Sequence, residues 1–257
     1  MLALGVPTPA SPTARGRTFG LRAELRDVGL AERRKLQELL GASWLPRRSC
    51  DRRGKMPSGL RLRQALRTAR SPPRPKGAEA AEGPQLRPAL RTRHFGPSSG
   101  AARAVPRRRE TNQQDYLFHG TSWANALRIL REGFRPSLFG AATRARARAG
   151  GPREPMFPGG LYFAECSSKA DEYTSAPCAM LLCRCALGRV LRTTRKLPPR
   201  PLEEALAEAE CDSLVCDLEE QCHSYREFVV TDPGRAFPEY LLLYDRVFQK
   251  RRGLRVV

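Results

Sequence analysis

Tyr116-Leu117-Phe118-His119-Gly120-Thr121, answered further along by Gly160-Leu161-Tyr162-Phe163-Ala164-Glu165, decides how the chain folds. In the first segment a short apolar run ends on a histidine and a glycine. Thr121-Ser122 follows, then Trp123, Ala126, Leu127, Leu130 and Phe134 at three- and four-residue spacing, with Gly133 closing the pattern. That order predicts strand, turn, capped amphipathic helix and glycine stop. The second segment repeats it: a strand through Tyr162, then Ser167-Ser168 ahead of Lys169, Asp171, Glu172 and Tyr173, with an acid three residues after Ser168 as in a capping box. One histidine and two tyrosines thus fall at strand ends and helix starts, where a sheet opens into a cleft.

Charge divides the chain in two. Residues 1–110 hold 25 lysines and arginines against 8 acids, residues 111–257 hold 21 against 18, so the formal net charge of +20 belongs to the first part. That part is also rich in Pro, Ala, Gly and Ser, and its apolar residues rarely recur with a regular period. It is expected to be a mostly disordered basic region, because little apolar burial is available to offset the entropy of ordering it. Residues 111–250 have mixed charge and apolar runs such as Ala179–Leu182 and Leu241–Tyr244, enough for one core. Residues 251–257 read as a basic tail. No apolar run reaches the ~18 residues a membrane helix needs, and no membrane partner is expected. Seven of the eight cysteines lie beyond residue 110 without a framework of spacings or a signal peptide, so reduced thiols in a nuclear or cytoplasmic protein are expected. The acid-free, arginine-bearing first 23 residues loosely resemble a mitochondrial presequence, a weaker alternative to a generic tail.

Within the basic region, Gly29–Leu40 fits an amphipathic helix with Leu30, Leu36, Leu39 and Leu40 on one side and nothing obvious to pack on. The arginine clusters from Arg47 to Arg109 could bind nucleic acid by charge alone, or be a solvated linker. Residues 135–158 read as a long basic loop leaning over the cleft. Residues 178–191 form a near-continuous apolar run, read as one buried strand with Cys183 and Cys185 on the same face. Those thiols, with Cys211, Cys216, Cys222 and His223, lack the paired spacing of a zinc site, so no metal is expected. Leu202–Ala209 suggests a short helix, Asp212–Val215 a short strand. Arg226–Val230 and Pro238–Tyr244 suggest two strands joined by a turn at Asp232-Pro233-Gly234.

Taken in order, these pieces resemble the catalytic domain of the poly(ADP-ribose) polymerase family of ADP-ribosyltransferases. His119-Gly120-Thr121 is similar to that family's HG(S/T) motif, Gly160–Ala164 to its strand bearing a tyrosine, and Ser167-Ser168-Lys169 through Tyr173 to the helix that follows. Asp212–Val215 resembles its Asp-Ser-Val segment and Tyr225–Val230 the strand with its glutamate. Pro238-Glu239-Tyr240-Leu241 is similar to the closing strand of tankyrases.

The resemblance implies an α+β fold with a split, mostly antiparallel sheet, binding NAD as substrate, releasing nicotinamide and passing ADP-ribose to a protein or nucleic-acid acceptor, with a mono product the narrower expectation. Loss of nicotinamide leaves positive charge on the ribose, related to glycoside cleavage, and Glu227 is the carboxylate implied to stabilise it. His119 is implied to hold ribose hydroxyls, Gly120 to let the backbone meet the nicotinamide amide, and Tyr162 and Tyr173 to sandwich the ring. Thr121 and Lys169 complete the implied NAD-binding set. Ala170 stands where the family usually has a serine, and Cys216 where it usually has a glycine. Two other functions stay open: an NAD- or ADP-ribose-binding module without turnover, which Ala170 favours, and a nucleic-acid-binding protein whose business is residues 1–110.

Overall fold

Alternating burial explains most of the strands. In Asp115–Gly120, Leu117 faces one core while Tyr116 and Phe118 face another. In Leu161–Ala164, Leu161 and Phe163 turn one way and Tyr162 the other. The computed structural model describes residues 25–47, 49, 52, 54–69, 114–136, 156–194, 201–217 and 225–249, together with the backbone of 103–105. In chain order the elements are β1 (Leu25–Asp27), α1 (Leu30–Ala42), β2 (Gly59–Thr68), β3 (Arg103–Val105), β4 (Asp115–Gly120), α2 (Trp123–Glu132), β5 (Leu161–Ala164) and α3 (Ser167–Asp171). There follow β6 (Ala179–Cys185), β7 (Val190–Thr193), α4 (Leu202–Glu208), β8 (Ser213–Asp217), β9 (Arg226–Val230), a 3₁₀ turn (Pro233–Arg235) and β10 (Ala236–Val247).

The strands form one sheet in the order β1-β2-β10-β6-β4-β5-β9-β8-β7-β3. All neighbours are antiparallel except β7 and β8. The fold is therefore α+β with a mostly antiparallel sheet. Its weak seam lies between β4 and β5, which share the single register pair Phe118↔Ala164. On either side of that seam, β4 pairs with β6 over six residues and β5 with β9 over four. The sheet is split there, and the seam falls at His119-Gly120 and Tyr162-Phe163.

One face carries a single core spanning both halves, where α2 lays Ala126, Ile129 and Leu130 onto Leu117, Leu181, Phe163 and Phe228. The other face carries two. Leu36, Leu39 and Leu40 of α1 and Ala170 of α3 cover Phe118, Met180 and Leu242 in one. Leu202 and Leu206 of α4 cover Leu214 and Val229 in the other. As the sequence predicts, Ser122 caps α2 by accepting from Asn125 N–H (3.3 Å), and Gly133 ends it with a positive φ of 78°.

Several expectations need correction. The basic region expected to be mostly disordered up to residue 110 contains β1, β2 and β3, strands of the same sheet, and α1, which packs on β2. In β2, Leu60, Leu62, Ala65 and Leu66 are buried among arginines that point outward; the basic residues mask a half-buried strand. The α1 helix does have a partner, that strand, though Leu30 itself stays 77 % exposed. The apolar run 178–191 is two strands rather than one. Gly188 turns the chain between them with a φ of 62°, tight against Asp212, whose carboxylate accepts from Arg189 N–H (2.7 Å). Ser168 does not cap α3: the helix starts at Ser167 and the capping position is Cys166, without a side-chain bond. Asp171, expected in a capping box, is instead bound by Arg52, Tyr244 and Arg246. Most of the predicted basic loop, residues 137–155, lies outside the described residues, as does the predicted tail.

Candidate active site

His119 is the penultimate residue of β4, at the seam. Its ring lies edge-on to Phe134 (5.2 Å between centroids) and against Phe163 (5.5 Å). Removal from water between these rings lowers its pKa, partly offset by the bond from Nδ1 to the Tyr162 carbonyl (2.9 Å). A carbonyl can only accept, so Nδ1 carries the proton. In the neutral ring Nε2 is then left as an acceptor, the form that would receive a sugar hydroxyl. The bond also joins β4 to β5 where ladder pairing has stopped.

Gly120 shows why a glycine is required, and the partner is unexpected. A methyl at this position would overlap the carbonyl of Ala170, so the missing side chain lets α3 lie on the end of β4. Thr121 is buried just beyond. Ala170 is itself buried in the core that α1 shares with Phe118.

Tyr162 and Glu227 lie on the opposite face of the sheet from His119. The register pairs Phe118 with Ala164 and Ala164 with Glu227, and directly opposed residues share a face. Tyr162 packs against the α4 core, and its hydroxyl is held by the Phe157 backbone, accepting from the N–H (2.6 Å) and donating to the carbonyl (3.0 Å). Burial there raises its pKa far above the ordinary phenol range, so it is a neutral ring at any working pH. The side chains of His119, Tyr162 and Glu227 therefore do not converge on one face. His119 and Tyr162 lie on the two strands that border the seam, on its two sides, and Glu227 lies one strand further out, on β9.

The closest gathering of charge surrounds Lys169 on α3. Its Nζ lies 2.9 Å from Glu227 Oε1 and 3.3 Å from Glu172 Oε2, with the rings of Tyr173 (5.2 Å) and Tyr225 (5.9 Å) facing the ammonium. Lys169 and Glu172 have side chains at most 4 % exposed, whereas Glu227 keeps 13 %, so of the three charges it is the one that meets solvent. Lys169 thus meets both Glu227 and the Tyr173 ring. Tyr225 and Glu172 were missed. A signal for the first was available: in an alternating strand Tyr225 shares the face of Glu227, while Arg226 between them turns away to pair with Glu165 (2.8 and 3.1 Å). Among the described residues no group of three or more His, Cys, Asp or Glu side chains is placed to hold a metal ion. Cys222 and His223 lie outside the described residues.

Residues 98–211 match the poly(ADP-ribose) polymerase catalytic domain. Over this stretch the chain is similar to that ADP-ribosyltransferase family, whose domains use NAD as substrate. It contains His119, Gly120, Thr121, Tyr162, Lys169 and Tyr173, and it ends before Glu227. No curated protein matches the chain.

Proposed function

We propose that the chain is an active ADP-ribosyltransferase that cleaves NAD at the β4–β5 seam and transfers a single ADP-ribose to a protein or nucleic-acid acceptor. The observation that carries this reading is the Lys169–Glu227 pair, sharing one ammonium with Glu172 and opening to solvent only at Glu227. A ligand entering a gap between strands meets side chains of both faces, which reconciles His119 on one side with Tyr162 and Glu227 on the other. His119 Nε2 accepts from a ribose hydroxyl, fixing the dinucleotide in register. Tyr173 and Tyr162 supply flat apolar surface for the nicotinamide, and Gly120 and Thr121 supply backbone. The Glu227 carboxylate, oriented by Lys169, stabilises the positive charge that develops on the sugar as nicotinamide leaves, and orients the incoming hydroxyl.

The test is nicotinamide release and automodification with labelled NAD, comparing the full chain with Glu227→Gln. A loss of about 100-fold in kcat is expected for removing a charge aimed at the transition state; an equal rate in the two proteins overturns the assignment. A binding module without turnover is the second reading. It is favoured by Ala170, which brings no hydroxyl and whose side chain sits in a core. Calorimetry separates the two, since NAD binding without nicotinamide release supports the module. Six described cysteines are free thiols, which supports a reducing compartment, nuclear or cytoplasmic. No described helix is long and apolar enough to cross a membrane.

A further inference from the structure

Described residues of the segment from Leu40 to Arg52 are bound repeatedly to α3 and to Tyr225. Ser167 Oγ–H donates to Leu40 O (2.8 Å), Leu45 N–H to Ser168 Oγ (3.2 Å), and the Tyr225 hydroxyl faces the carbonyls of Leu45 (2.9 Å) and Arg47 (2.7 Å). Arg52 ends this segment. Its guanidinium donates to Asp171 Oδ2 (2.5 Å) and Ser168 O (2.6 Å), and its Nε lies 3.6 Å from Glu172 Oε1, while Ser49 Oγ–H donates to Glu172 Oε2 (2.7 Å). The charges therefore alternate along a buried line: Arg52, Glu172, Lys169, Glu227. Arg52 lies outside the stretch that matches the family's catalytic domain.

We propose that Arg52 is a positioning residue for the transferase site, keeping Lys169 on Glu227 by acting through Glu172. The proposal rests on the reading of Glu227 given above. Glu172 lies between two cations, and Lys169 between two carboxylates. A buried carboxylate deprived of one cation draws harder on the other it shares, because the interior screens poorly and desolvation has removed the alternative of water. Without the Arg52 charge, Lys169 shifts toward Glu172, and Glu227 loses its orienting partner. The loss falls on the chemical step, since of the residues assigned to NAD only Lys169 shifts, and its part in the proposed function is to orient Glu227.

The test uses the full chain. For Arg52→Gln, kcat for nicotinamide release is expected to drop about tenfold with KM for NAD within about twofold. Arg52→Lys should keep most of the rate, and Arg52→Gln/Glu172→Gln should regain what the single change lost, because the competing carboxylate is gone. A double variant slower than either single one, or an unchanged kcat in Arg52→Gln, overturns the proposal. A second readout needs no turnover: melting-temperature losses for Arg52→Gln and Glu227→Gln, which do not touch, should be less than additive when combined. Strict additivity also overturns it. Wild type without nicotinamide release, or Glu227→Gln matching wild type, sinks the transferase reading, while the melting cycle still decides the coupling.

Discussion

At the scale of single residues, His119 has a consequence for pH. Its ring is held neutral between Phe134 and Phe163, so the folded pKa lies below the ordinary value of about 6.5. The unfolded chain then binds the extra proton first as pH falls, so the stability contributed by the neutral ring is complete above about pH 6.5 and declines below it, until the folded value is passed. Melting temperature recorded from about pH 7.5 to about pH 5 should show that decline, and His119→Gln should flatten it. The identities of His119, Lys169, Tyr173 and Glu227 were legible because their motifs are local. Their faces were not, because the side Glu227 takes relative to His119 follows from the register Phe118–Ala164–Glu227, which only the paired strands reveal. What local sequence could not carry was the partner: Gly120 meets Ala170 and Arg52 meets Glu172 across long chain separations.

At the scale of elements, α1 is the instructive case. Its leucine spacing was visible, but its partner strand β2 was hidden, because three outward arginines and a glutamine interrupt its apolar residues. Arg33 and Gln37 of α1 also bond β2, through Arg63 O (2.5 Å) and Leu60 O (3.2 Å). Leu40 is fully buried in the core that also holds Phe118 and Ala170. Leu40→Ala should therefore cost about 2–5 kcal/mol, read from urea unfolding of the full chain. A polar tail would show no such loss. The α3 helix makes the opposite point. Its sequence suggested a capping box, yet Asp171 is used to hold Arg52, Tyr244 and Arg246, so tertiary charge pairing overrode a local cap.

At the scale of the whole molecule, Glu239 on β10 ties four strands together. Its carboxylate accepts from Arg67 on β2 (2.7 Å), Arg184 on β6 (2.7 Å) and the Tyr116 hydroxyl on β4 (2.8 Å), and is 2 % exposed. Burial pushes its pKa up, but the bonds and charges of Arg184, Tyr116 and Arg67 prevail and the net shift is downward. Its stabilisation is thus present above the ordinary carboxylate range and is lost as pH falls through the lowered folded value. Glu239→Ala, which strands Arg184 in a largely buried setting, should cost about 3–5 kcal/mol at neutral pH in a denaturant titration. The mixed fold and its antiparallel sheet were readable from motif order, whereas the extension of the sheet to Leu25 was not, since composition over 110 residues averages away a strand of ten.

The interior position of β10 sets a timetable. It sits between β2 and β6, so β2, made early in synthesis, stays without its main neighbour until β10 has left the ribosome. Throughout that interval the nascent polypeptide displays a β2 edge open along most of its length, a surface suited to capture by chaperones or by another such edge. Stalled chains released before Ala236 should accordingly remain open to protease across Leu25–Thr68, and become resistant once Val247 has emerged.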